Sequence, residues 1–313
     1  MLREMMFGLD ECFRYARCPD CASVFIHQIP EDLADYYSTK YYSFDLDPQA
    51  VMGRAGVSQA VALVGRSVLL GHNVLGRSLH RLVSMRQVQT TLALFESIRL
   101  AGLPRGKESR VLDIGSGSGA LVYALSLVGL GEVTGIDPFN DSDRVFDTGA
   151  QVLRCDLSEV RGAYDLIMLH HCFEHVPNPR ETMAQVRELL APGGRVLVRM
   201  PTVSSAAFER YGTSWLQLDP PRHLTVFSRI GMERLCADGG LAVHVVRDDS
   251  TAFQFWASEQ ALASVPLVSG TSHFVNPDRS AFSAARLRDW EREAAALNAA
   301  GRGDQAAWVL TSS

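Results

Sequence analysis

Residues 111–119 read Val111-Leu112-Asp113-Ile114-Gly115-Ser116-Gly117-Ser118-Gly119, and the fold is decided there. A short apolar run that closes on an acid, followed by glycines at alternate positions, predicts a buried strand and then a sharp turn. Residues 120–128 are apolar and long enough for a helix, which Gly129 stops. The glycines let the backbone turn tightly and approach a ligand with no Cβ in the way. The helix that follows opens with free N–H groups. Asp113 adds a negative charge at the same mouth. A helix start aimed at a pyrophosphate would gain nothing from that charge. The spacing G-x-G-x-G also differs from the dinucleotide pattern G-x-G-x-x-G. A ligand bearing an ammonium and a sulfonium, and no phosphate, would be favoured by the acid. Taken by itself, the loop also reads as a tight strand-to-helix turn with no ligand, the less favoured alternative, so its surroundings have to decide.

Outward from the loop, strand and helix patterns alternate. Residues 133–136 form a second strand ending at Asp137, 150–155 a third before Asp156, and 164–169 a fourth. The fourth is apolar throughout, as a strand covered on both faces should be. Residues 179–190 form a helix with Met183, Val186 and Leu190 on one side, ended by Ala191-Pro192-Gly193-Gly194. Residues 195–200 are a fifth strand, Ser228 caps a helix running to Ala237, and 241–246 and 251–256 are two last strands. The fold class is α/β, a mostly parallel sheet with helices on both faces. Such sheets bind ligands at the carboxyl ends of their strands. Asp113, Asp137 and Asp156 all stand at that edge. Asp137 is placed to accept both hydroxyls of a ribose, and Asp156 an adenine amino group. Their plainer readings are a turn former at Asp137-Pro138 and a cap before Leu157-Ser158-Glu159.

In sequence order, VLDIGSGSGA, TGIDPF, RCDL, YDLIMLHHCFEHVPNP and APGGRVLVRMP resemble the motifs of the class I S-adenosylmethionine-dependent methyltransferases, over about residues 110–256. The resemblance implies a Rossmann-like seven-stranded sheet with one antiparallel strand near its edge. It implies that Asp113, Gly115, Gly117 and Gly119 hold the methionine part of S-adenosylmethionine, Asp137 the ribose, and Asp156 with Leu157 the adenine. It places His170 in backbone contact with that cofactor. The Cys-x-x-Cys at Cys18 and Cys21, the YYSTKYYSF stretch, Pro221-Arg222-His223-Leu224 and the terminal GRGDQAAWVL resemble a subgroup found among bacterial sugar, polysaccharide and natural-product methyltransferases. The acceptor expected from this is a small molecule, a saccharide or sugar nucleotide.

Methyl transfer from a sulfonium is an in-line displacement, so the protein has to align donor and acceptor and, for a hydroxyl, remove a proton. Histidine suits that task near neutral pH. His171 and His223 are the candidate bases, with Glu174 as a helper or a solvated loop acid. His175 is expected to be a packed residue that orders the Val176-Pro177-Asn178-Pro179 turn. His223 reads equally as a loop histidine holding Asp219. Arg222 is expected to meet an anionic group of the substrate, or else to form a surface ion pair. Tyr36, Tyr37, Tyr41, Tyr42 and Phe44 would fold over the cofactor, Tyr42 foremost, or dock the N-terminal segment. Tyr211 and Trp215 are expected to anchor a loop in preference to stacking on a sugar.

The rest of the chain sets bounds. Its 313 residues divide into an N-terminal segment (1–47), a helical connection (48–109), the methyltransferase domain (110–256) and a C-terminal extension of loop and helix (257–313). A net charge of −5 argues against a nucleic-acid partner. The N-terminal residues lack a signal-peptide pattern and no apolar run reaches about 20 residues, so a cytoplasmic protein with no membrane partner is expected. The six cysteines are too scattered for a secreted disulfide framework. Cys18 and Cys21 have the shape of half a zinc knuckle, with Cys12 and His27 as off-pattern completions. Either the pair is a relic or the start lies upstream of Met1, and zinc is not expected here. Cys155, Cys172 and Cys236 read as small core residues. A nucleotide-dependent oxidoreductase is the first competing function, disfavoured by Asp113 and the glycine spacing. A non-catalytic scaffold is the second, disfavoured by the three intact acids.

Overall fold

In the computed structural model, which describes residues 1–37, 47–71 and 86–313, the apolar runs pair into one mixed sheet of eight strands. In chain order they are β1 (Arg110–Ile114), β2 (Glu132–Ile136), β3 (Arg144–Val145), β4 (Gln151–Leu153), β5 (Tyr164–His170), β6 (Leu190–Pro201), β7 (Leu241–Asp248) and β8 (Gln305–Ser312). Across the sheet the order is β7-β8-β6-β5-β1-β2-β4-β3. The five strands from β6 to β4 are parallel. β8 runs antiparallel to both of its neighbours, and β3 antiparallel to β4.

Successive residues of each central strand go to opposite faces, as the pleat requires. Val111, Leu166, Met168, Leu197, Ala307 and Val309 meet the helices α1 (Val57–Leu70), α2 (Arg86–Ala101) and α3 (Ala120–Val128). Leu112, Ile167, Leu169, Val196, Val198 and Trp308 meet α4 (Pro179–Leu189) and α5 (Arg229–Asp238) on the other side. α4 buries Met183, Val186 and Leu189, three to four residues apart. The Ser228 hydroxyl accepts the Gly231 N–H at 2.9 Å and caps α5, as its sequence predicts. Gly65 brings α1 against α3, because a Cβ there would lie 2.2 Å from Val128 Cγ2.

The sequence reading needs three corrections. The sheet has eight strands and not seven, the additional one being the two-residue edge strand β3. Between β2 and β5 the chain forms a strand pair and a single 3-10 turn (Leu157–Glu159), with no α-helix. Residues 251–256 open the helix α6 (Phe253–Leu262). Ala252, Phe255 and Trp256, at helical spacing, are buried beside Trp215 and Trp290, and that packing overrides the strand-like alternation of aromatics. The last strand comes from the tail, at β8. Its residues 305–310 are all buried, so it shows no alternation, and its two alanines weaken the strand signal. The sheet therefore draws on chain outside 110–256.

A third core forms from Leu2, Met6, Val24, Trp215, Phe255 and Trp290, and it docks the N-terminal segment on the sheet domain. No helix among the described residues is long and apolar enough to cross a membrane.

Candidate active site

The turn after β1 is built as its glycines suggest. Gly115, Gly117 and Gly119 have φ of +71°, +52° and +81°, in the region that favours glycine. The Gly115 and Ser116 N–H groups both donate to the Ile136 carbonyl, at 2.9 and 3.1 Å. A Cβ on Gly115 would lie 2.7 Å from the Cys172 side chain, so the loop after β5 rests directly on the glycine turn. Asp137 ties the turn down from β2. Its Oδ2 accepts the Gly117 N–H at 2.9 Å, and its Oδ1 accepts the Phe139 N–H at 3.0 Å. A carboxylate oxygen has a second lone pair, so this anchoring leaves Asp137 able to accept further hydroxyls.

Asp113 is buried at the base of the same mouth. Loss of solvent, with the Asp137 charge beside it, raises its carboxyl from 3.8 to about 8. The Asp137 carboxyl is raised too, by burial, against the pull of its two N–H donors. Two desolvated acids facing one crevice favour a cationic ligand. The Ser116 hydroxyl and both ring nitrogens of His170 are buried with no hydrogen-bonding partner among the described residues. Burial, with Arg199 and His171 nearby, pushes His170 down to about 3, so it is a neutral ring. The two buried acids beside the glycine turn fit a positively charged cofactor end and oppose a diphosphate. Asp156 is exposed, and its own N–H is taken by Glu159 Oε2 at 2.8 Å in a reciprocal cap. Leu157 is partly buried beside it.

His171, Glu174 and His223 come together. His171 sits at φ +48°, unusual for a residue with a side chain. The guanidinium of Arg199, itself paired with Asp249, donates to His171 Nε2 at 2.8 Å. His171 Nδ1 lies 3.3 Å from Glu174 Oε1. Both ring nitrogens are thus engaged, which counts against His171 as the base. His223 differs: its Nδ1 donates to the Gln217 carbonyl at 2.7 Å, and its Nε2 faces Glu174 and Asp219, each at 3.9 Å. Glu174 is fully buried. Burial works to raise its carboxyl, but His171, His175 and His223 outweigh that and bring it down to about 2. His175 also joins the group, with its Nδ1 2.9 Å from the Arg222 carbonyl and 3.0 Å from the Tyr37 hydroxyl. Burial, together with His223, pushes it down to about 4. Tyr37 stacks on Phe139 at 6.1 Å between centroids, which bridges the histidine cluster to the turn after β2.

Arg222 does not face a substrate. It is fully buried, and its guanidinium donates to Asp219 Oδ2 at 2.9 Å and Glu4 Oε1 at 2.6 Å. Glu4 in turn accepts the N–H groups of Met6, Phe7, Gly8 and Leu9. The network locks the N-terminal segment to the loop carrying His223. Sequence reasoning missed it because Glu4 and Arg222 are 218 residues apart. It missed Arg199 and Asp249 for the same reason. Trp215 donates to Asp304 at 3.0 Å and Tyr211 to Glu259 at 3.0 Å, so both anchor loops. Tyr41, Tyr42 and Phe44 lie outside the described residues. Cys18 and Cys21 form the turn between the strands Tyr15–Arg17 and Val24–Ile26. Among the described residues, the one group of three or more close potential metal ligands is Glu174, His175 and His223.

The profile of a family described as "Methyltransferase domain" matches residues 85–246. The ubiquinone biosynthesis O-methyltransferase of Aromatoleum aromaticum is 37% identical over 109 residues, 31% of this chain and 45% of that protein. Its namesake in Chromobacterium violaceum is 36% identical over 98 residues, 28% of this chain and 42% of that protein. The chain thus spans less than half the length of these curated relatives. A solved S-adenosylmethionine-dependent methyltransferase from Mesorhizobium loti superposes with a TM-score of 0.46 at 16% identity, covering 70% of this chain and 97% of that one.

Proposed function

The chain belongs to the methyltransferase domain family, its domain takes S-adenosylmethionine, and from that premise we propose that the whole protein methylates a hydroxyl of a small molecule. The observation that carries this reading is His223 Nε2, a basic nitrogen whose tautomer is fixed by the Gln217 carbonyl and which stands beside buried Glu174. A hydroxyl acceptor needs such a group, since its proton has to leave as the new O–C bond forms.

The cofactor supplies a methyl group already activated on a sulfonium. Asp113 and the glycine turn hold its charged methionine end, Asp137 its ribose, and Asp156 with Leu157 its adenine, while His170 lines the mouth. Cys172, resting on Gly115, sets the distance between the cofactor turn and the histidine loop. His223 takes the acceptor proton at Nε2, and the Glu174 charge stabilises the imidazolium that results. Arg199 and His171 hold Glu174 in place from behind. Tyr37 packs on the cluster through His175 and stacks on Phe139.

A saccharide or sugar-nucleotide hydroxyl is the first acceptor class, on the likeness of the two chain ends to that subgroup. A hydroxyl of a ubiquinone-biosynthesis intermediate is the second, favoured by the names of the curated relatives. Incubation with methyl-tritiated S-adenosylmethionine and parallel panels of sugar nucleotides and ubiquinone-biosynthesis intermediates tests both. Label in neither panel, with the cofactor demonstrably bound, would refute the hydroxyl reading.

A further inference from the structure

The Glu174 carboxylate is the most anomalous buried group in the protein. Neither oxygen has a hydrogen bond of acceptable geometry among the described residues. Its ion-pair neighbours within 4.0 Å are histidines only, His171 at 3.3 Å and His223 at 3.9 Å. An ionised carboxylate out of water is costly unless a cation or a set of donors meets it.

His175 and His223 each have their Nδ1 taken up elsewhere. His175 Nδ1 lies 2.9 Å from the Arg222 carbonyl, and His223 Nδ1 2.7 Å from the Gln217 carbonyl. A carbonyl only accepts, so each Nδ1 carries a proton and, in the neutral ring, each Nε2 keeps its lone pair. Backbone carbonyls on Nδ1 are the usual outer partners of histidines that bind metals through Nε2. One nitrogen of each ring and one Glu174 oxygen lie within 4.8 Å of one another. With Glu174 buried among the two rings, a cation bound through their Nε2 lone pairs would satisfy its charge. Asp219, 3.9 Å from His223 Nε2, adds to the negative field there.

We propose that Glu174, His175 and His223 form a binding site for a divalent transition-metal cation, zinc first. Two imidazoles and one carboxylate favour a borderline ion such as zinc over magnesium or calcium, which prefer all-oxygen sites. Three protein ligands leave a coordination position open for a hydroxyl or water. The binding itself is independent of the methyl-transfer reading. With the cation bound, His223 is a ligand and no longer the base, so the chemical consequence, loss of the acceptor proton through the cation's charge, rests on the hydroxyl-acceptor reading and replaces its histidine step.

Metal is stripped from the full chain with a chelator, and zinc or magnesium is then titrated in competition with a chromophoric chelator. S-adenosylmethionine affinity and the circular dichroism spectrum are measured on the same samples. The expected result is one equivalent of zinc, bound at least about a hundredfold more tightly than magnesium. Glu174→Gln and His223→Ala should each weaken zinc at least about a hundredfold, with His175→Gln as a milder variant should either fail to fold. The Cys18→Ser/Cys21→Ser double variant should keep its zinc. Zinc affinity unchanged in the folded site variants, or zinc lost with the cysteine pair, overturns the proposal. Absence of zinc binding in a protein that still binds S-adenosylmethionine refutes this site alone. Zinc binding in a protein that does not bind S-adenosylmethionine upholds the site and refutes the reading of the crevice.

Discussion

Cofactor affinity measured against pH reads Asp113 directly. Its carboxyl in the ligand-free protein sits at about 8, against 3.8 in water. A cationic cofactor end requires the ionised form. At pH 7 that ionisation costs about 1.4 kcal/mol, a tenfold weakening, and at pH 6 about twice as much, a hundredfold weakening. Binding should therefore tighten roughly tenfold per pH unit from 6 to 8 and then level off, with about one proton released per cofactor. Isothermal titration in two buffers of different ionisation enthalpy counts that proton. Asp113→Asn imitates the protonated acid, so it should bind about as weakly as the native protein at pH 6 and fall behind it as the pH rises. The stability of the ligand-free protein carries the same signature with the sign reversed. Because the folded-state value is raised, the folded protein holds an extra proton between about pH 4 and 8. Stability is then lost as the pH climbs through that window, by at most about 5–6 kcal/mol, and Asp113→Asn should remove the loss. A native affinity that stays flat from pH 6 to 8, with no proton release, would refute the placement of the cation beside Asp113.

Four further outcomes are expected. His223→Ala should lower turnover by about a hundredfold or more while sparing cofactor affinity, and His171→Gln should lower it less, both read as product formed per minute; equal effects would dismiss the assignment of the base. Arg222→Met leaves Glu4 and Asp219 buried without their cation, so urea unfolding should show a loss of about 3–5 kcal/mol, and an unmoved midpoint would disprove the lock. Asp137→Ala removes both a ribose acceptor and the Gly117 anchor, so calorimetry should show cofactor affinity falling about a hundredfold, with a smaller loss of about 1–2 kcal/mol in stability. Gly119→Ala places a methyl group 2.6 Å from Val152 Cγ2 at a left-handed φ and should cost about 1–3 kcal/mol by thermal melting.

The local geometry built from contiguous sequence was legible beforehand. The strand ending in Asp113, the turn at Gly115, Gly117 and Gly119 and the helix start stand where the pattern puts them, because these are short-range facts. Ser228 and the apolar face of α4 were legible for the same reason. What stayed hidden depends on distant partners. Arg222 looked like a surface cation because nothing near it in sequence announces Glu4. His171 looked like a base because Arg199, which occupies its Nε2, comes from the next strand. The strand β8 was missed because Gln305, Ala306 and Ala307 leave too short an apolar, β-favouring run to mark a strand buried on both faces. The helix α6 was mistaken for a strand because Phe253 and Phe255 stand two apart, as in a strand, while Ala252, Phe255 and Trp256 share a helical spacing, and tertiary packing made the choice.

The place of β8 has a consequence for how the protein reaches its native state. In the sheet β7 touches only β8, and β8 alone joins it to β6. Residues 241–248 thus have no sheet partner until a segment some sixty residues downstream has been threaded in, and this pairing is slow because so much chain must be closed first. Until then β6 presents a long unpaired edge rich in Val and Leu, a template for association with other chains. Refolding yield should therefore fall steeply with protein concentration, and a synthetic peptide of residues 303–313 added in excess should compete for that edge and slow the recovery of native fluorescence.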